Sequence, residues 1–570
     1  MTGKQPDPPL RMPARLFEEL AAGGSPAEAL AFLARSERAR RLLLLRTLLA
    51  RFDTLPTPLD TPAEAWRTVK AAAERAPGPV DRLLLAPQTG GWLGHVLRRM
   101  HGSASGGPPL WAEAGHLCAL AVAAALRAGT EADLRVPLLD GALALPSLGL
   151  ARLPGAPRGP SVGRARVRGG ELTLSSETTD SRPVVLRRPT AVPVGAASAA
   201  PDTDPHWLPL RLLTLTRPSG TATVTLDDLD PYRDLDDPLA PARLDAGEAT
   251  EWQRLFEEAA LIVSAGGTHG PGRLDAAEIR AVVPWGRTTA LPAAPPTVRL
   301  SASSGDAYAA MVIARPAGAL ALAETLVHEF QHSKVAALLH LFPLLDDDRE
   351  ERYYAPWRGD PRHLTGLLHG AYAFTGVAGF WRDRLAEARR PEAADLAGYH
   401  FALRRTQSRL VVRTLLTSGR LTVQGRVFTT GLARTLDGWL REPVPATALA
   451  RARTAAALHR TEWRLRNVLP RPGSPTAPGT LVLRTERTSW PDDRTYAFAA
   501  PPAVPRTADE HLAAGDPAAA LSRYADVLTA DPAQPHALAG WIVARANLGG
   551  GRTSRRMLAR PELLQPLPSG

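Results

Sequence analysis

The sequence predicts an α+β protein that is mostly helical, and three observations carry that expectation. The first 128 residues repeat leucines at helical spacing, with charged residues between them. Residues from about 130 to 235 are cut by Pro, Gly and Ser into short apolar runs, the mark of antiparallel strands. From Ala317 to about Arg466 the helical period returns. Taken in order, the expected organisation is an N-terminal helical region (1–128), a β-rich region (129–245), a helical catalytic region (246–470), a linker (471–505) and a helical tail (506–570).

Residues 1–12 are Pro-rich and expected to be disordered. Leu16, Leu20 and Leu30 then begin a helical stretch that includes the amphipathic run Arg41 to Leu49 and an Ala/Leu helix from Trp111 to Arg127. Strands are expected at Gly170–Ser175, Pro183–Leu186, Leu210–Thr216 and Gly220–Leu226. A helix over Ala249–Ser264 precedes three more strands, Ile279–Val283, Thr297–Ser301 and Tyr308–Ile313. Helices follow over Leu320–Leu341, Leu364–Arg389 and Leu396–Leu416, and one strand, Leu481–Arg484, is expected in the linker. In the tail, Gly515-Asp516, Ala520, Tyr524, Leu528 and Asp531-Pro532 match the second helix and closing turn of a tetratricopeptide repeat. One repeat cannot bury its own face, so the tail is expected either to pack on the main body or to bind a peptide.

Composition excludes several classes. The chain has 570 residues, 44% of them apolar, enough to build cores. Its one cysteine, Cys118, rules out a disulfide framework and thiolate zinc modules. The longest apolar stretch, Leu117–Leu126, is far short of the ~18 to 20 residues that span a bilayer, so no membrane is expected. The first residues show no charged-then-apolar signal pattern, and a cytoplasmic location is expected. The formal charge is +11, but 65 of the 68 basic residues are arginines scattered among acids, with only Lys4, Lys70 and Lys334 as lysines. That pattern follows GC-rich coding; with 5% aromatics it does not build a basic face for nucleic acid.

The chemistry concentrates in one window. Five of the 14 histidines lie between His328 and His369, and two form His328-Glu329-Phe330-Gln331-His332, an H-E-x-x-H motif. On a helix, His328 and His332 fall one turn apart on one face, where two imidazoles can share one metal ion. Glu329 lies about 100° round, within reach of a metal-bound water but poorly placed as a third ligand. His340 is about 12 Å further along the axis. The known zinc-protease continuations are absent, which leaves His363 and His369, with Glu351 and Asp360 behind them, as third ligands. His369 lies in the apolar run Gly366 to Phe374 and is the favoured one. Between the two helices, Tyr353-Tyr354-Ala355-Pro356-Trp357-Arg358-Gly359-Asp360-Pro361-Arg362 offers rigid aromatic area and two guanidiniums suited to a carboxylate. The competing reading is a structural loop with an Arg358–Asp360 ion pair.

Leu326 to Lys334, the Tyr-Ala-Pro-Trp-Arg-x-Asp-Pro-Arg loop and the Leu-Leu-His-Gly-x-Tyr-Ala-Phe helix together resemble the H-E-x-x-H peptide-modification proteins. These are α-ketoglutarate-dependent β-hydroxylases of ribosomally made peptides, some encoded beside radical maturation enzymes. The resemblance is strongest over 317–382, extends weakly over 13–470 through Arg15-Leu16-Phe17 and Asp230 to Asp234, and does not reach the tail. It implies a mononuclear Fe(II) held by His328, His332 and His369, with α-ketoglutarate and O₂ as cosubstrates and a precursor peptide as substrate. It further implies Arg358 or Arg362 on the distal carboxylate of α-ketoglutarate and Glu329 orienting the site or its water. Lys334, Tyr354, Trp357 and His363 would stand around that set, and a neighbouring peptide-maturation enzyme would be a partner. Three imidazoles depart from the two-His-one-carboxylate set usual for such iron.

The motif alone leaves other readings open. A zinc-dependent metallopeptidase would use Zn(II) with Glu329 as general base. A peptide-binding scaffold would use neither. Gly159-Pro160-Ser161-Val162-Gly163 satisfies G-x-S-x-G but lacks a strand before it and a helix after it, so no nucleophile elbow is expected. The Gly266–Gly272 stretch lacks Gly-Lys-Ser/Thr and reads as a connection.

Overall fold

The structure is a computed structural model describing residues 11–195, 204–217, 220–235, 237–265, 270–285, 300–469, 481–484, 498–549 and 551–564. About 54% of it is helix and 14% strand, so the mixed, mostly helical class holds. The chain forms two compact units. One comprises Leu30–Ala265 and Leu274–Leu338, and the other Arg11–Ala29, Gly266–Arg273 and Leu339–Gly570.

The first helix, α1 (Ala14–Ala21), belongs to the second unit, and the first unit begins within α2 (Ala27–Phe52). It continues through α3 (Pro62–Arg75), α4 (Pro77–Leu84), α5 (Pro87–Met100), α6 (Leu110–Ala114) and α7 (His116–Ala128). Proline opens α3, α4 and α5, where its missing N–H would have no partner anyway. Thr61 and Glu64 close a capping box on α3, the Thr61 N–H donating to Glu64 at 3.1 Å. The expected single helix over Trp111–Arg127 is instead two, α6 and α7, meeting at Gly115. A Cβ there would stand 2.2 Å from Leu59, so close packing puts the glycine and the break in one place. One helical stretch, Leu110–Ala128, is long and apolar enough to cross a membrane, and 78% of it is buried in the core. Length counted on the uninterrupted apolar run Leu117–Leu126 had missed it. Each fully buried leucine such as Leu117 or Leu120 contributes about 1.5–3 kcal/mol.

Seven strands form an antiparallel sheet in the order β6-β5-β4-β1-β2-β3-β8. They are β1 (Ala132–Leu139), β2 (Ala142–Leu145), β3 (Gly149–Arg152), β4 (Pro160–Arg168), β5 (Glu171–Ser176), β6 (Val184–Arg187) and β8 (Trp207–Pro209). β6 alternates buried and exposed residues strictly, so one face meets the core that holds α7. Ser161 lies inside β4, with β5 next in the chain, which disposes of a nucleophile elbow.

The second sheet runs β12-β13-β11-β10-β9-β7 and draws strands from both sides of residue 245. Its members are β7 (Val192–Pro193), β9 (Arg211–Arg217), β10 (Gly220–Leu226), β11 (Ala281–Trp285), β12 (Ser301–Ala302) and β13 (Ala310–Ala314). β10, β11 and β13 run parallel, and β12 returns antiparallel on β13 at the edge. The crossover from β10 to β11 carries α8 (Ala246–Ala265), as a parallel pair requires. Gln253 pins α8 to β9 by bonding both the N–H and the carbonyl of Thr214 at 2.9 Å. β13 is buried at every position and feeds α9 (Ala319–Leu341), which carries the motif. Residues 297–299 of the expected strand Thr297–Ser301 lie outside the described residues.

The second unit is helical: α10 (Leu364–Glu387), α11 (Pro391–Thr417), α12 (Val423–Trp439), α13 (Ala446–Asn467), α14 (Ala508–Ala513), α15 (Pro517–Ala530), α16 (Pro535–Leu548) and α17 (Arg552–Ala559). α1 joins it through Phe17, whose ring lies 5.5 Å from Phe342 and 6.1 Å from Phe428. The Tyr372 hydroxyl donates to the Leu20 carbonyl at 2.8 Å and the Thr435 hydroxyl to that of Ala22 at 3.1 Å. Of the Gly-rich stretch, residues 266–269 lie outside the described residues. Gly272, at φ +81°, lies so close to α10 that a Cβ would meet the Phe380 nitrogen at 2.2 Å. Leu481–Arg484 forms a single antiparallel bridge, Leu483 to Val468. The tail helices share one core with α11 and α13, in which Tyr399, Ala452, Leu458, Tyr524 and Ile542 are buried together. Buried Glu562, in the turn Pro561–Leu564, takes two bonds from Arg464 of α13, at 2.7 and 2.9 Å.

Candidate metal centre

α9 is apolar on most of its surface. Leu322, Leu326, Val327, Phe330, Val335 and Leu338 are buried, and so are the polar Glu329, Gln331, Ser333 and Lys334. A partly open stripe runs through Thr325, His328 and His332, positions three and four apart on one face. The imidazoles converge there: His328 Nε2 and His332 Nε2 stand 3.1 Å apart with the rings at 78°. Two nitrogens on one ion at ~2.0–2.1 Å each are separated by about 2.9 to 3.4 Å, so the pair has the spacing of a chelate. The same approach suits an N–H···N bond between the two rings. Burial pushes the His332 imidazole down to about 4, which keeps it neutral, the form that ligates.

Glu329 is tied to the sheet. The Ser301 hydroxyl, on edge strand β12, donates to Glu329 Oε1 at 2.6 Å, while buried Oε2 accepts no hydrogen bond. Oε1 is 4.0 Å from His328 Nε2. Burial raises the carboxyl above its ordinary range, opposed by the Ser301 and Ser303 hydroxyls. One turn on, Ser333 Oγ accepts from the Ala309 N–H at 3.3 Å, so a short segment ahead of β13 grips α9 at two points. That segment is held in turn by Asp306, which takes Arg40 and Arg98 at 2.7 Å each. Lys334, expected beside the site as a point charge, is fully buried, and burial lowers its ammonium well below the usual range.

The remaining expected residues lie in the second unit. The loop Tyr353–Arg362 is closed by reciprocal backbone bonds of 2.9 Å between its two ends. Within it, Arg358 Nε donates to Asp360 Oδ1 at 2.8 Å and Arg362 Nη1 to Oδ2 at 3.3 Å, so both guanidiniums face one carboxylate. The Trp357 indole packs 4.7 Å from the Phe374 ring and lies directly on Gly370, where a Cβ would meet it at 2.2 Å. Arg362 lies over Gly366, one turn before His369. His369 is half-buried on α10, flanked by the two glycines that the loop covers.

Tyr354 and His363 have structural work. The Tyr354 hydroxyl pairs with His459 Nδ1 at 2.9 Å and its ring meets Trp463 edge-on. His363 caps α10, its Nδ1 2.9 Å from Asp347, which also accepts the Thr365 N–H at 2.9 Å. Those bonds hold the Asp347 carboxyl below its usual range despite burial. Glu351 is half-buried in the same loop region, and His340 is exposed near the end of α9.

The donors present suit a metal in part. Two converging imidazoles offer two nitrogens to one ion, and a carboxylate oxygen that accepts no hydrogen bond lies on the neighbouring residue. Among the described residues no group of three or more His, Cys, Asp or Glu is gathered as a metal-holding set. Sequence reasoning missed Ser301 and Asp306, because a serine or aspartate in a strand approach carries no spacing signal towards a helix about 25 residues on. No family model matches the chain, and no curated protein matches it.

Proposed function

We propose that the protein is an Fe(II)- and α-ketoglutarate-dependent dioxygenase that hydroxylates a side-chain β-carbon of a ribosomally synthesised peptide. The observation that carries this reading is the His328–His332 pair, with Nε2 atoms 3.1 Å apart on the open stripe of α9. His328 and His332 would hold the iron, with His369 as the third imidazole. When bound, iron(II) supplies oxygen activation coupled to decarboxylation of the ketoacid. Arg358 and Arg362, which already share the Asp360 carboxylate, would exchange it for the distal carboxylate of α-ketoglutarate. Trp357 keeps that loop seated on α10, and Glu329 holds a hydrogen-bonding position beside the pair. A precursor peptide is the proposed substrate, with a neighbouring maturation enzyme as partner and the cytoplasm as location. The tail is proposed as a tetratricopeptide-like element whose role is to pack on α11 and α13, with peptide binding as the alternative.

Anaerobic reconstitution with Fe(II) tests this. Addition of α-ketoglutarate should give a charge-transfer band, and admission of O₂ should release succinate. Absence of both the band and succinate removes the reading.

One observation favours a second reading. Glu329 Oε2 accepts no hydrogen bond, and a zinc metallopeptidase needs such a carboxylate to take a proton from metal-bound water. That reading predicts tight Zn(II) and peptide cleavage lost in Glu329→Gln. A non-enzymatic scaffold would keep partner binding in a His328→Ala/His332→Ala variant.

A further inference from the structure

We propose that Gln407 of α11 is a positioning residue for the arginine loop: its buried side-chain amide fixes the backbone from which Arg358 and Arg362 project. The inference rests on the reading above in which those two guanidiniums take the distal carboxylate of α-ketoglutarate, and it names a residue outside both the motif and the loop. Gln407 is 2% exposed, so both ends of its amide require partners. Its Nε2 donates to the Pro356 carbonyl at 2.8 Å, and its Oε1 accepts from Arg404 Nη1 at 3.0 Å. The two ends cannot be exchanged. A guanidinium only donates, so Arg404 takes the amide oxygen and leaves the N–H for the loop. Gln407 and Arg404 stand three residues apart on α11, which puts them on one helix face.

The contacts close on themselves. The Arg404 guanidinium lies 4.5 Å from the centre of the Phe374 ring, and Phe374 packs at 4.7 Å on Trp357, the residue after Pro356. Two adjacent loop residues are therefore held, Pro356 by a hydrogen bond from α11 and Trp357 by packing on α10. Arg358 comes next, its N–H donating to the Ala355 carbonyl at 3.1 Å across the same turn.

The loop ends are joined at Tyr353 and Arg362, so the turn that carries Arg358 has its backbone fixed, whereas the Arg358 side chain is 45% exposed. A fixed base under an open side chain suits the anchoring of a small dicarboxylate, because backbone freedom would otherwise be lost on binding. Gln407→Glu separates that role from packing. The shape is kept and the Arg404 contact becomes an ion pair, but a carboxylate cannot donate to the Pro356 carbonyl and repels it.

The test uses the full chain and two readouts that do not depend on turnover. Without metal, hydrogen exchange at the Arg358 amide should quicken about tenfold in Gln407→Glu, while the thermal midpoint stays near that of wild type. With Fe(II) under anaerobic conditions, titration of the charge-transfer band should show affinity for α-ketoglutarate falling about tenfold. Affinity for α-ketobutyrate, which lacks the distal carboxylate, should be unchanged. Gln407→Met, which also lacks the donor, should show the same selective loss and decides the matter if the buried carboxylate unfolds the chain. Equal losses for both ketoacids, or no loss in either variant, overturn the inference and leave the cosubstrate reading standing. A wild type that gives no band with α-ketoglutarate, or binds the two ketoacids alike, removes the carboxylate role of the arginines and this inference with it.

Discussion

Trp357 and Gly370 show how much a single missing methyl can decide. The indole lies where a Cβ on residue 370 would be, 2.2 Å from its Cζ2 atom. Gly370→Ala should therefore force the loop off α10 at a cost of about 1–3 kcal/mol. Urea denaturation should show that loss, and a midpoint unchanged from wild type would refute the packing described. The sequence announced the motif histidines by their spacing, since four residues make one turn. It placed Trp357 and the arginines in one loop because they are contiguous. It could not announce that Tyr354 serves His459 or that Ser301 serves Glu329, separated by 105 and 28 residues, because no period links them.

At the scale of elements, the tail is fastened to α13 by charge as well as by its apolar core. His536 of α16 meets Glu462 of α13 at 2.8 Å and Asp509 of α14 at 2.9 Å, one carboxylate on each ring nitrogen. Burial lowers its affinity for a proton, but the hydrogen bonds and charges of Asp509 and Glu462 outweigh this and raise it to about 9 from 6.5. A raised histidine stabilises fully below its unfolded value and loses that contribution as pH rises through the folded one. Stability of the second unit should then decline between about pH 6.5 and 9, by up to about 3 kcal/mol from this group. His536→Gln should flatten the slope in thermal melts across that window; an unchanged slope would refute the assignment. Helices were legible because their apolar stripes are local. Strand pairing was not, since β10 and β11 run in parallel across an intervening helix and their partnership depends on the whole sheet.

At the scale of the molecule, order along the chain and membership in a compact unit differ. Residues 11–29 belong with residues beyond 339, whereas the stretch between them forms most of the other unit. Composition gave no hint, because α1 reads like any amphipathic helix before its partners are known. Removing residues 1–25 should strip buried Leu16 and Leu20 from the second unit, each worth about 1.5–3 kcal/mol. Calorimetry should show a second-unit transition at lower temperature. An unmoved transition would mean that α1 contributes nothing to that core.

The attachment of α1 also sets a clock. The Ala22 carbonyl finds its Thr435 donor 413 positions later in the chain. At about 5–20 residues per second, a ribosome needs roughly 20–80 s to deliver that partner. Until Phe342, Tyr372 and Phe428 are made, the apolar face of α1 lacks the residues it packs on, and the first-unit segments Leu30–Ala265 and Leu274–Leu338 are made before them. α1 is thus completed long after it is made, and a nascent-chain chaperone would have that whole interval in which to hold it.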